Sequence, residues 1–299
     1  MNNYKSGFAA IIGRPNVGKS TLLNALAGVK IAIVSNKPQT TRGKIQAVVT
    51  TEGFQAVFLD TPGLHSVRSK LDDYMKKSVD AALDGADVIL YLAEPTVKLV
   101  RENAEYLARL RGAPVILLIN KADKLKEEGV IQIIAAYREV YDFAHILPIS
   151  ALTGQNLDVL RGLIEKFLPE GPKYFDDDYL TDSPERTLAC EIIREKALLL
   201  LQDEVPHGVA VEITSMKERD GRKMMDVEAV IYCEKRSHKG IIIGKNGETL
   251  KKIASSARVD IENLLDTRVN LQTWVKVKEG WRNDATELRR IGYNAKNIN

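Results

Sequence analysis

Cysteines, aromatic residues and long apolar runs are scarce in this sequence. Its 299 residues include two cysteines, and aromatic side chains make up 6% of the total. Cys190 and Cys233 lack the spacing of metal ligands, so we expect two small buried side chains in a reducing compartment. No apolar run approaches the roughly 20 residues of a membrane span, and the first residues, MNNYKSG, lack the features of a signal peptide. We therefore expect a cytoplasmic protein.

An excess of charge of one sign is also lacking. The 43 Lys and Arg residues nearly balance the 40 Asp and Glu residues, and a net charge of +3 is too small to indicate a partner. Hydrophobic residues at 44% and charged residues at 28% are typical of a globular protein. The chain length suggests about two domains, each large enough for its own core.

The most specific motif is a glycine-containing stretch, GRPNVGKS, at residues 13–20. It lies between an apolar run at 8–12 and a helix-compatible run at 21–27, which is the context of a phosphate-binding loop. Its glycines let successive N–H groups point at one anion, and the dipole of the following helix adds positive charge there. A glycine turn that only caps an ordinary helix is disfavoured, because all four fixed residues occur in this context.

Two side chains of this loop have expected roles in nucleotide binding. Lys19 should reach the β- and γ-phosphates, and the hydroxyl of Ser20 should bind Mg²⁺. The predicted nucleotide-binding residues of this stretch are Gly13, Arg14, Pro15, Asn16, Val17, Gly18, Lys19, Ser20 and Thr21.

Apolar strand-like runs alternate with helical patterns in the first half of the chain. The runs at 46–51 and 55–59 flank Glu52-Gly53 and predict a hairpin, whereas 87–93 and 114–119 are continuously apolar, as in strands covered on both faces. The alternation predicts a doubly wound α/β domain with a mixed sheet and ligands at the carboxyl ends of its strands. Helical spacing occurs at 71–83, 98–111, 128–140 and 157–167.

The tetrapeptide DTPG at residues 60–63 follows one of these strands. Asp60 could hold a Mg²⁺-bound water, and the N–H group of Gly63 could contact the γ-phosphate. DTPG is also a plausible β-turn, so its position after a strand carries the prediction. The predicted nucleotide-binding residues here are Asp60, Thr61, Pro62, Gly63 and Leu64.

A second tetrapeptide, NKAD at residues 120–123, follows the strand that ends at Ile119. The carboxylate of Asp123 could accept hydrogen bonds from N1–H and N2–H₂ of guanine, a pair of donors that adenine lacks. Asn120 could tie this loop to the phosphate loop, the stem of Lys121 could cover the base, and a main-chain N–H of Ser150-Ala151-Leu152 could support it. These motifs are weak singly, but their order resembles the GTPase branch of the phosphate-loop enzymes over about residues 7–168.

A polar, proline-containing segment at 35–43 lies between the phosphate loop and DTPG. A threonine hydroxyl here could complete the Mg²⁺ shell only when γ-phosphate is present, which would make the segment a switch. We prefer Thr41 to Thr40, because Thr41-Arg42 resembles the first switch of bacterial translation-type GTPases; a plain surface loop is the alternative. The predicted metal ligands are therefore Ser20, Thr41 and Asp60.

A water-orienting glutamine is missing, because Leu64 follows Gly63 where Ras-like enzymes have that residue. Intrinsic hydrolysis should be slow or should depend on another group. Asn16 resembles the residue that helps bind a potassium ion in some relatives, although it could simply make a hydrogen bond within its loop. The predicted catalytic residues are Lys19, Thr41, Gly63 and Asn16.

The second half of the chain has a different pattern. We place the first domain at 1–168, a proline-containing linker at 169–184 and a second domain at 185–299. A helix at 185–204, strands at 209–218 and 225–234, a further helix, the GxxG loop at 244–247, a helix and a final strand follow in the order of an α+β KH type II domain. Such a loop lets the backbone approach about four nucleotides over an apolar groove. The later helix and strand lie at 248–265 and 268–278.

Basic residues surround this second loop and suit the phosphates of a single strand. RNA is the preferred ligand, although the same module can hold single-stranded DNA. Trp274 and Trp281 should pack the domain, with base stacking as the less favoured alternative. The predicted RNA-binding residues are Lys235, Arg236, Lys239, Ile243, Gly244, Lys245, Asn246, Gly247, Lys251 and Lys252, and Arg258 lies near them in sequence.

A GTPase domain followed directly by this KH module resembles the Era family over essentially the whole chain. The stretch WVKVK at 274–278 and the run LRRIGY at 288–293 are also similar to that family. The resemblance implies GTP or GDP and Mg²⁺ as ligands, binding of 16S ribosomal RNA near its 3′ end, and a role in assembly of the small (30S) ribosomal subunit. It also implies peripheral membrane association in some members, and we expect a monomer.

Three classes of function remain open from the sequence. A GTP-hydrolysing RNA-binding switch is preferred. A nucleotide-gated RNA-binding protein with negligible turnover, acting on a different RNA, is the alternative that Leu64 suggests. A metabolic nucleotide kinase is disfavoured by the guanine motif and by the absence of an evident lid for a second substrate.

Overall fold

The computed structural model describes residues 4–35, 37, 40–42, 45–63, 68–219 and 223–293. The strands of its larger sheet are β1 (Lys5–Gly13), β2 (Ile45–Thr50), β3 (Phe54–Asp60), β4 (Val88–Ala93), β5 (Val115–Ile119) and β6 (His145–Pro148). Their order is β2-β3-β1-β4-β5-β6, in which β2 runs antiparallel to β3 and the other neighbours run parallel. The predicted hairpin and mixed sheet are therefore confirmed.

Helices cover both faces of this sheet, as a doubly wound fold requires. The helices are α1 (Lys19–Ala27), α2 (Lys70–Asp84), α3 (Val100–Leu107), α4 (Glu127–Arg138) and α5 (Leu157–Phe167). One face of the sheet packs against leucines of α1 and against α5, and the other against α2, α3 and α4. Strands β4 and β5 are buried along their whole length, which explains their continuous apolar runs.

The helix predicted at 98–111 is shorter in the structure. It begins with a 3₁₀ turn at Val97–Leu99, and α3 ends at Leu107. Beyond it, Arg109 and Leu110 donate their N–H groups three residues back, so the chain tightens before Gly112, whose φ of +85° cannot continue a helix.

The segment predicted as a linker, 169–184, packs along the first sheet. Gln55 holds it by accepting the N–H groups of Tyr174 and Phe175 at 2.7 and 3.0 Å. The rings of Phe175 and Tyr179 stack 4.5 Å apart beside the cluster that contains Val57. The aromatic side chains thus place the segment on the sheet instead of leaving it as a free spacer.

The elements of the second half are α6 (Glu185–Leu200), β7 (Ala210–Glu218), β8 (Met224–Cys233), α7 (Arg236–Ile243), α8 (Glu248–Leu265), β9 (Arg268–Val277) and α9 (Ala285–Arg290). Their sheet has three strands in the order β7-β8-β9, with β7 antiparallel and β9 parallel to β8. Its inner face forms one apolar core with the helices before and after it. The element order is that predicted for the KH domain.

Helix α6 ends four residues before the predicted Glu204. Leu201 is extended and buried, and Pro206 then begins a separate 3₁₀ turn. Packing of Leu201 into the core therefore ends the helix earlier than its helix-forming sequence suggests.

The two halves share an apolar contact. Leu71, Tyr74 and Met75 of α2 pack against a cluster that includes Tyr232 of β8 and the fully buried Trp281.

Cys233 is buried and Cys190 partly buried, and both are free thiols whose pKa burial raises. None of the described helices combines the length and the apolar character that a membrane span requires.

Candidate nucleotide site and candidate RNA interface

The phosphate loop lies where parallel strands of the larger sheet end. Gly13 ends β1, and Gly18 caps α1 with φ of +103°. A Cβ at Gly18 would lie 2.3 Å from the Asn120 amide nitrogen, and one at Gly13 would lie 2.3 Å from the Leu92 oxygen. The two motif glycines are thus required by close approach as well as by backbone angle.

Lys19 is the buried cation of this loop. Its ammonium group donates to the main-chain oxygens of Gly13 and Arg14, both at 3.1 Å. Burial lowers the pKa of Lys19 to about 8, although the nearby Asp60 carboxylate opposes this shift. A phosphate group at this position would favour the charged form, so Lys19 is placed to bind an anion.

Three oxygen-bearing side chains meet beside Lys19. The Ser20 hydroxyl donates to Asp60 Oδ2 at 2.8 Å, and the Thr41 hydroxyl lies 2.9 Å from Ser20 Oγ and 3.3 Å from Asp60 Oδ2. Thr40 instead donates its hydroxyl to the Lys37 oxygen at 2.6 Å. The structure therefore brings Thr41, and not Thr40, to the other predicted metal ligands.

The environment of Asp60 fits a hard cation. The carboxylate is fully buried, and its Oδ1 has no hydrogen-bond partner among the residues that the structure describes. Burial raises the pKa of Asp60, against the opposing effects of Lys19 and the hydrogen bonds from Ser20 and Thr41. A buried, unpartnered carboxylate oxygen next to two hydroxyl groups is the ligand chemistry that Mg²⁺ prefers.

Asn120 joins the predicted base-binding loops to the phosphate loop. Its amide nitrogen donates to the Val17 oxygen at 2.7 Å, and its Oδ1 accepts the N–H of Ala151 at 3.0 Å. Lys121 donates its ammonium group to the Asn16 oxygen at 2.9 Å. Because Ala151 N–H is used by Asn120, this N–H is not available to a base in the conformation described.

The remaining residues of the base motif differ in exposure. Ser150 is fully buried, whereas Asp123 is exposed on a single 3₁₀ turn, Ala122–Lys124, with its carboxylate open to a ligand. Leu152 has 79% of its surface exposed. The exposed carboxylate and the buried framework are what a base-reading loop requires.

A cavity of about 310 Å³ opens beside the phosphate loop. It brings together residues of the phosphate loop, the predicted switch segment, DTPG and NKAD. The lining residues are Pro15, Asn16, Gly18, Lys19, Ser20, Thr21, Ile33, Val34, Ser35, Lys37, Thr40, Thr41, Gly63 and Lys121.

Thr61, Pro62 and Arg14 belong to the predicted nucleotide-binding residues but are not among those that line this cavity. The Thr61 hydroxyl donates to the Ile11 oxygen at 2.8 Å, and Pro62 is buried. Gly63 lies so close to the phosphate loop that a Cβ would be 2.8 Å from the Pro15 nitrogen. Arg14 points outward to Glu102 at 2.6 Å. Leu64 lies outside the described residues.

Asn16 has the backbone conformation of a tight turn, with φ of +65°. Its side chain is exposed at the cavity and makes no hydrogen bond with another residue that the structure describes. The amide group is therefore free to contact a ligand.

The second candidate site is the GxxG loop between α7 and α8. Gly244 has φ of +74°, and a Cβ there would lie 2.3 Å from Thr249 Oγ1, so the loop packs tightly against α8. Lys245 and Asn246 project from the loop as exposed residues, and Ile243 is half-buried behind them. The backbone is thus open to the close approach of another chain.

The basic residues near this loop are all exposed. Arg258 pairs with Glu262 at 3.0 Å, and the other six make no ion pair with a residue that the structure describes. Unpaired surface cations are available to phosphates. These six residues are Lys235, Arg236, Lys239, Lys245, Lys251 and Lys252.

The two tryptophans differ. Trp281 is buried and donates its indole N–H to the Gly208 oxygen at 3.0 Å, so the packing prediction is confirmed for it. The same prediction is wrong for Trp274, which exposes 44% of its surface. It points to the outer face of β9, because its neighbour Val275 occupies the inner face.

Both halves of the chain match known protein families. Residues 8–121 match the family described as 50S ribosome-binding GTPase, and residues 204–282 match the KH domain family. The GTPase Era of Clostridioides difficile is 53% identical over 296 residues, which cover 98% of this chain and 100% of that protein. The chain belongs to the Era family of GTPases.

Other Era proteins are similar to this chain along nearly all of its length. The GTPase Era of Caldanaerobacter subterraneus is 50% identical over 97% of this chain and 98% of its own. Among solved structures, Era in complex with MgGDPNP and nucleotides 1506–1542 of 16S ribosomal RNA superposes with a TM-score of 0.94 at 40% identity, covering 97% of this chain and 99% of that one. A point variant of Aquifex aeolicus Era bound to GDP·AlF₄⁻ gives a TM-score of 0.93 at the same identity and coverage.

Sequence reasoning missed two contributions to the nucleotide site of this Era-family chain. Ile33 and Val34 line the cavity, and the only signal for them was the apolar run just before the polar switch segment. Asn24 of α1 supports that run by accepting the N–H groups of Ile31 and Ala32 at 2.9 and 2.8 Å. An asparagine within a helix gave no signal of this role.

Proposed function

We propose that this Era-family GTPase is a switch that binds 16S ribosomal RNA near its 3′ end and acts in assembly of the small ribosomal subunit. The observation that carries the proposal is the meeting of Ser20, Thr41 and Asp60 beside Lys19, in a chain that also presents an exposed GxxG loop. The solved Era complex with MgGDPNP and a 16S fragment supports the pairing of these ligands.

The phosphates of GTP would lie in the loop that ends at Ser20. Lys19 and the N–H groups at the start of α1 would bind the β- and γ-phosphates. Mg²⁺, when bound, neutralises charge on these phosphates as the terminal bond breaks. Ser20 and Thr41 would hold this ion through their hydroxyls, and Asp60 would hold it through its Oδ1 or a water.

Guanine would be read by Asp123, whose exposed carboxylate can accept both donors of the base edge. Lys121 would cover the base with its stem. Asn120 would keep this loop in register with the phosphate loop through its bond to Val17. Of the three residues 150–152, Leu152 has the exposed position from which a main-chain N–H could approach the base.

Hydrolysis would rest on Lys19, Thr41 and the N–H group of Gly63, because Leu64 has no group that orients water. We propose that the free amide of Asn16 helps hold a potassium ion at the phosphates. Such an ion would supply positive charge where other GTPases use an arginine finger.

RNA would bind along the GxxG loop. The backbone of Gly244 and Gly247 would lie against the sugar-phosphate chain, and the exposed lysines would neutralise phosphates. We propose a monomer that works in the cytoplasm on the 30S subunit; peripheral contact with the inner face of the cell membrane stays a prediction from the family.

The test is binding of two RNAs to the full chain by fluorescence anisotropy. One RNA carries the last nucleotides of 16S ribosomal RNA, and the other has the same composition in scrambled order. We expect tighter binding of the first RNA at physiological salt and hydrolysis of GTP in a parallel single-turnover assay. Equal binding of both RNAs would overturn the RNA assignment, and absence of hydrolysis with RNA and potassium present would favour nucleotide gating without turnover.

A further inference from the structure

The predicted switch segment contacts the KH domain on both sides of Thr41. Thr40 precedes this threonine and Arg42 follows it, and both are bonded to residues more than 150 positions later in the chain. Val34, immediately before the segment, has a third such contact. The loop that carries a predicted metal ligand is thus bound to the other domain.

Arg42 makes the most extensive of these contacts. Its side chain is 1% exposed, and its guanidinium donates to the main-chain oxygens of Val209 at 2.6 Å and His207 at 3.1 Å. The same group lies 5.5 Å from the centre of the Trp281 ring. A guanidinium that donates twice and stacks on an indole has one geometry, which a lysine cannot reproduce.

Two consecutive residues of α6, Arg194 and Glu195, contact Thr40 and Val34. Arg194 donates to the Thr40 oxygen while it pairs with Glu191, and Glu195 accepts the Val34 N–H at 2.8 Å. Lys30 adds an ion pair to Glu195 at 2.6 Å. Arg194 and Glu195 are both nearly fully buried, so their contacts exclude water and are stronger than exposed ones.

These contacts fix the backbone on each side of the Thr41 hydroxyl, which lies 2.9 Å from Ser20 Oγ. A loop of this composition would otherwise lose considerable conformational entropy when it ordered around a ligand. We infer that Arg42 is a positioning residue for GTP hydrolysis: through its contacts with the KH domain it holds Thr41 where the metal shell needs the hydroxyl. This inference rests on the proposed GTPase function and extends it to a residue outside the nucleotide motifs.

A positioning role predicts that loss of Arg42 lowers the rate of GTP hydrolysis but not the affinity for GDP. GDP has no γ-phosphate and does not need the switch threonine, so its affinity should not depend on Arg42. The catalytic rate should depend on it, because displacement of a reacting group by about 1 Å can cost on the order of a hundredfold in rate. The magnesium concentration that supports half-maximal rate should rise as well, since Thr41 would join the metal shell less often.

The experiment compares Arg42→Ala, Arg42→Lys and Arg186→Ala in the full chain. Arg186 is the matched control, because its guanidinium also donates to a main-chain oxygen of the KH domain, that of Ile213, but does so from α6 and not from the switch segment. Single-turnover GTP hydrolysis is measured across a magnesium titration, and GDP affinity is measured with a fluorescent analogue. We expect about a tenfold to hundredfold lower rate and a higher magnesium midpoint for Arg42→Ala, with unchanged GDP affinity.

The lysine variant distinguishes loss of the guanidinium contacts from unfolding of the protein. Arg42→Lys keeps the positive charge but loses the paired donors of the guanidinium, so its hydrolysis rate should fall between those of the parent and Arg42→Ala. The rate of Arg186→Ala should match that of the parent. A parent that hydrolyses GTP, together with Arg42 variants of the same rate and magnesium midpoint, overturns the positioning role. A parent that does not hydrolyse GTP even with RNA and potassium present instead overturns the hydrolysing switch of the proposed function.

Discussion

The candidate nucleotide site and the GxxG loop have opposite arrangements of their polar residues. Lys19 and Asp60 are buried polar groups whose side chains are hydrogen-bonded to other residues of the same site. Lys245 and Asn246 are exposed. A buried site discriminates by leaving wrong ligands with unpaired polar groups, whereas an exposed basic loop binds phosphate chains through charge that salt screens.

The first prediction, for which the largest effect is expected, tests whether Asp123 recognises the guanine base of the nucleotide. Asp123→Asn replaces two acceptors with one acceptor and one donor, which suits xanthine. Two hydrogen bonds to a charged group contribute roughly 3–6 kcal/mol together, so GTP affinity should fall by at least about a hundredfold while xanthosine triphosphate gains. Equilibrium titration with both nucleotides measures this, and a variant that binds GTP like the parent would show that Asp123 does not read the base.

The second prediction concerns the exposed loop. Replacing Lys245 and Asn246 with Asp places negative charge against an RNA backbone, so affinity for the 16S fragment should fall by about tenfold or more. The slope of log affinity against log salt should shrink by roughly 0.7 for each lost phosphate contact. GTP affinity, measured on the same samples, is the control and should not change. Undiminished RNA binding would rule out a clamp at this loop.

The third prediction follows from the pKa of Lys19, which burial lowers to about 8. Only the ammonium form attracts phosphate, so below pH 8 this group leaves GDP affinity unchanged. Above pH 8 binding must take up a proton, and affinity should fall by up to about tenfold per pH unit. Lys19→Arg stays charged in this range and serves as the control: the same pH dependence in both proteins would assign the titration to another group.

The fourth prediction is the smallest expected effect and concerns the free amide of Asn16. Exchange of sodium for potassium at fixed ionic strength should speed GTP hydrolysis, and Asn16→Ala should remove that difference while largely sparing GTP affinity. Single-turnover rates in the two salts measure this effect. Equal rates for the parent would remove the cation hypothesis and leave stimulation to a bound partner, with ribosomal RNA as the first to add.

The elements that sequence could predict are those whose signal is local. Gly18, Lys19 and Ser20 follow a fixed spacing between a strand and a helix, and the buried strands β4 and β5 are continuous apolar runs. Thr41 was preferred to Thr40 by resemblance to other switches, and the structure places its hydroxyl beside Ser20 and Asp60.

The elements that sequence could not predict depend on distant partners. In the sequence, Arg42 is one arginine in a polar segment. Its partners, the Trp281 ring and the Val209 oxygen, lie far along the chain and reach it only in the folded protein. Trp274 was assigned to packing because of its residue type, but a strand has two faces and the described helices cover the one that carries Val275. The segment 169–184 was predicted as a spacer from its prolines and acidic residues, although its aromatic side chains pack on the first sheet.

The most direct test of the account replaces Thr41, whose neighbours Thr40 and Arg42 contact the KH domain. Thr41→Ala removes the hydroxyl, and Thr41→Ser keeps it; single-turnover hydrolysis of GTP is measured for both at saturating magnesium, with GDP affinity as the reference. The account predicts that Thr41→Ala loses most of the rate, that Thr41→Ser keeps most of it, and that both bind GDP like the parent. Equal rates for the alanine variant and the parent would contradict the central claim that Thr41 completes the metal shell of a GTP switch.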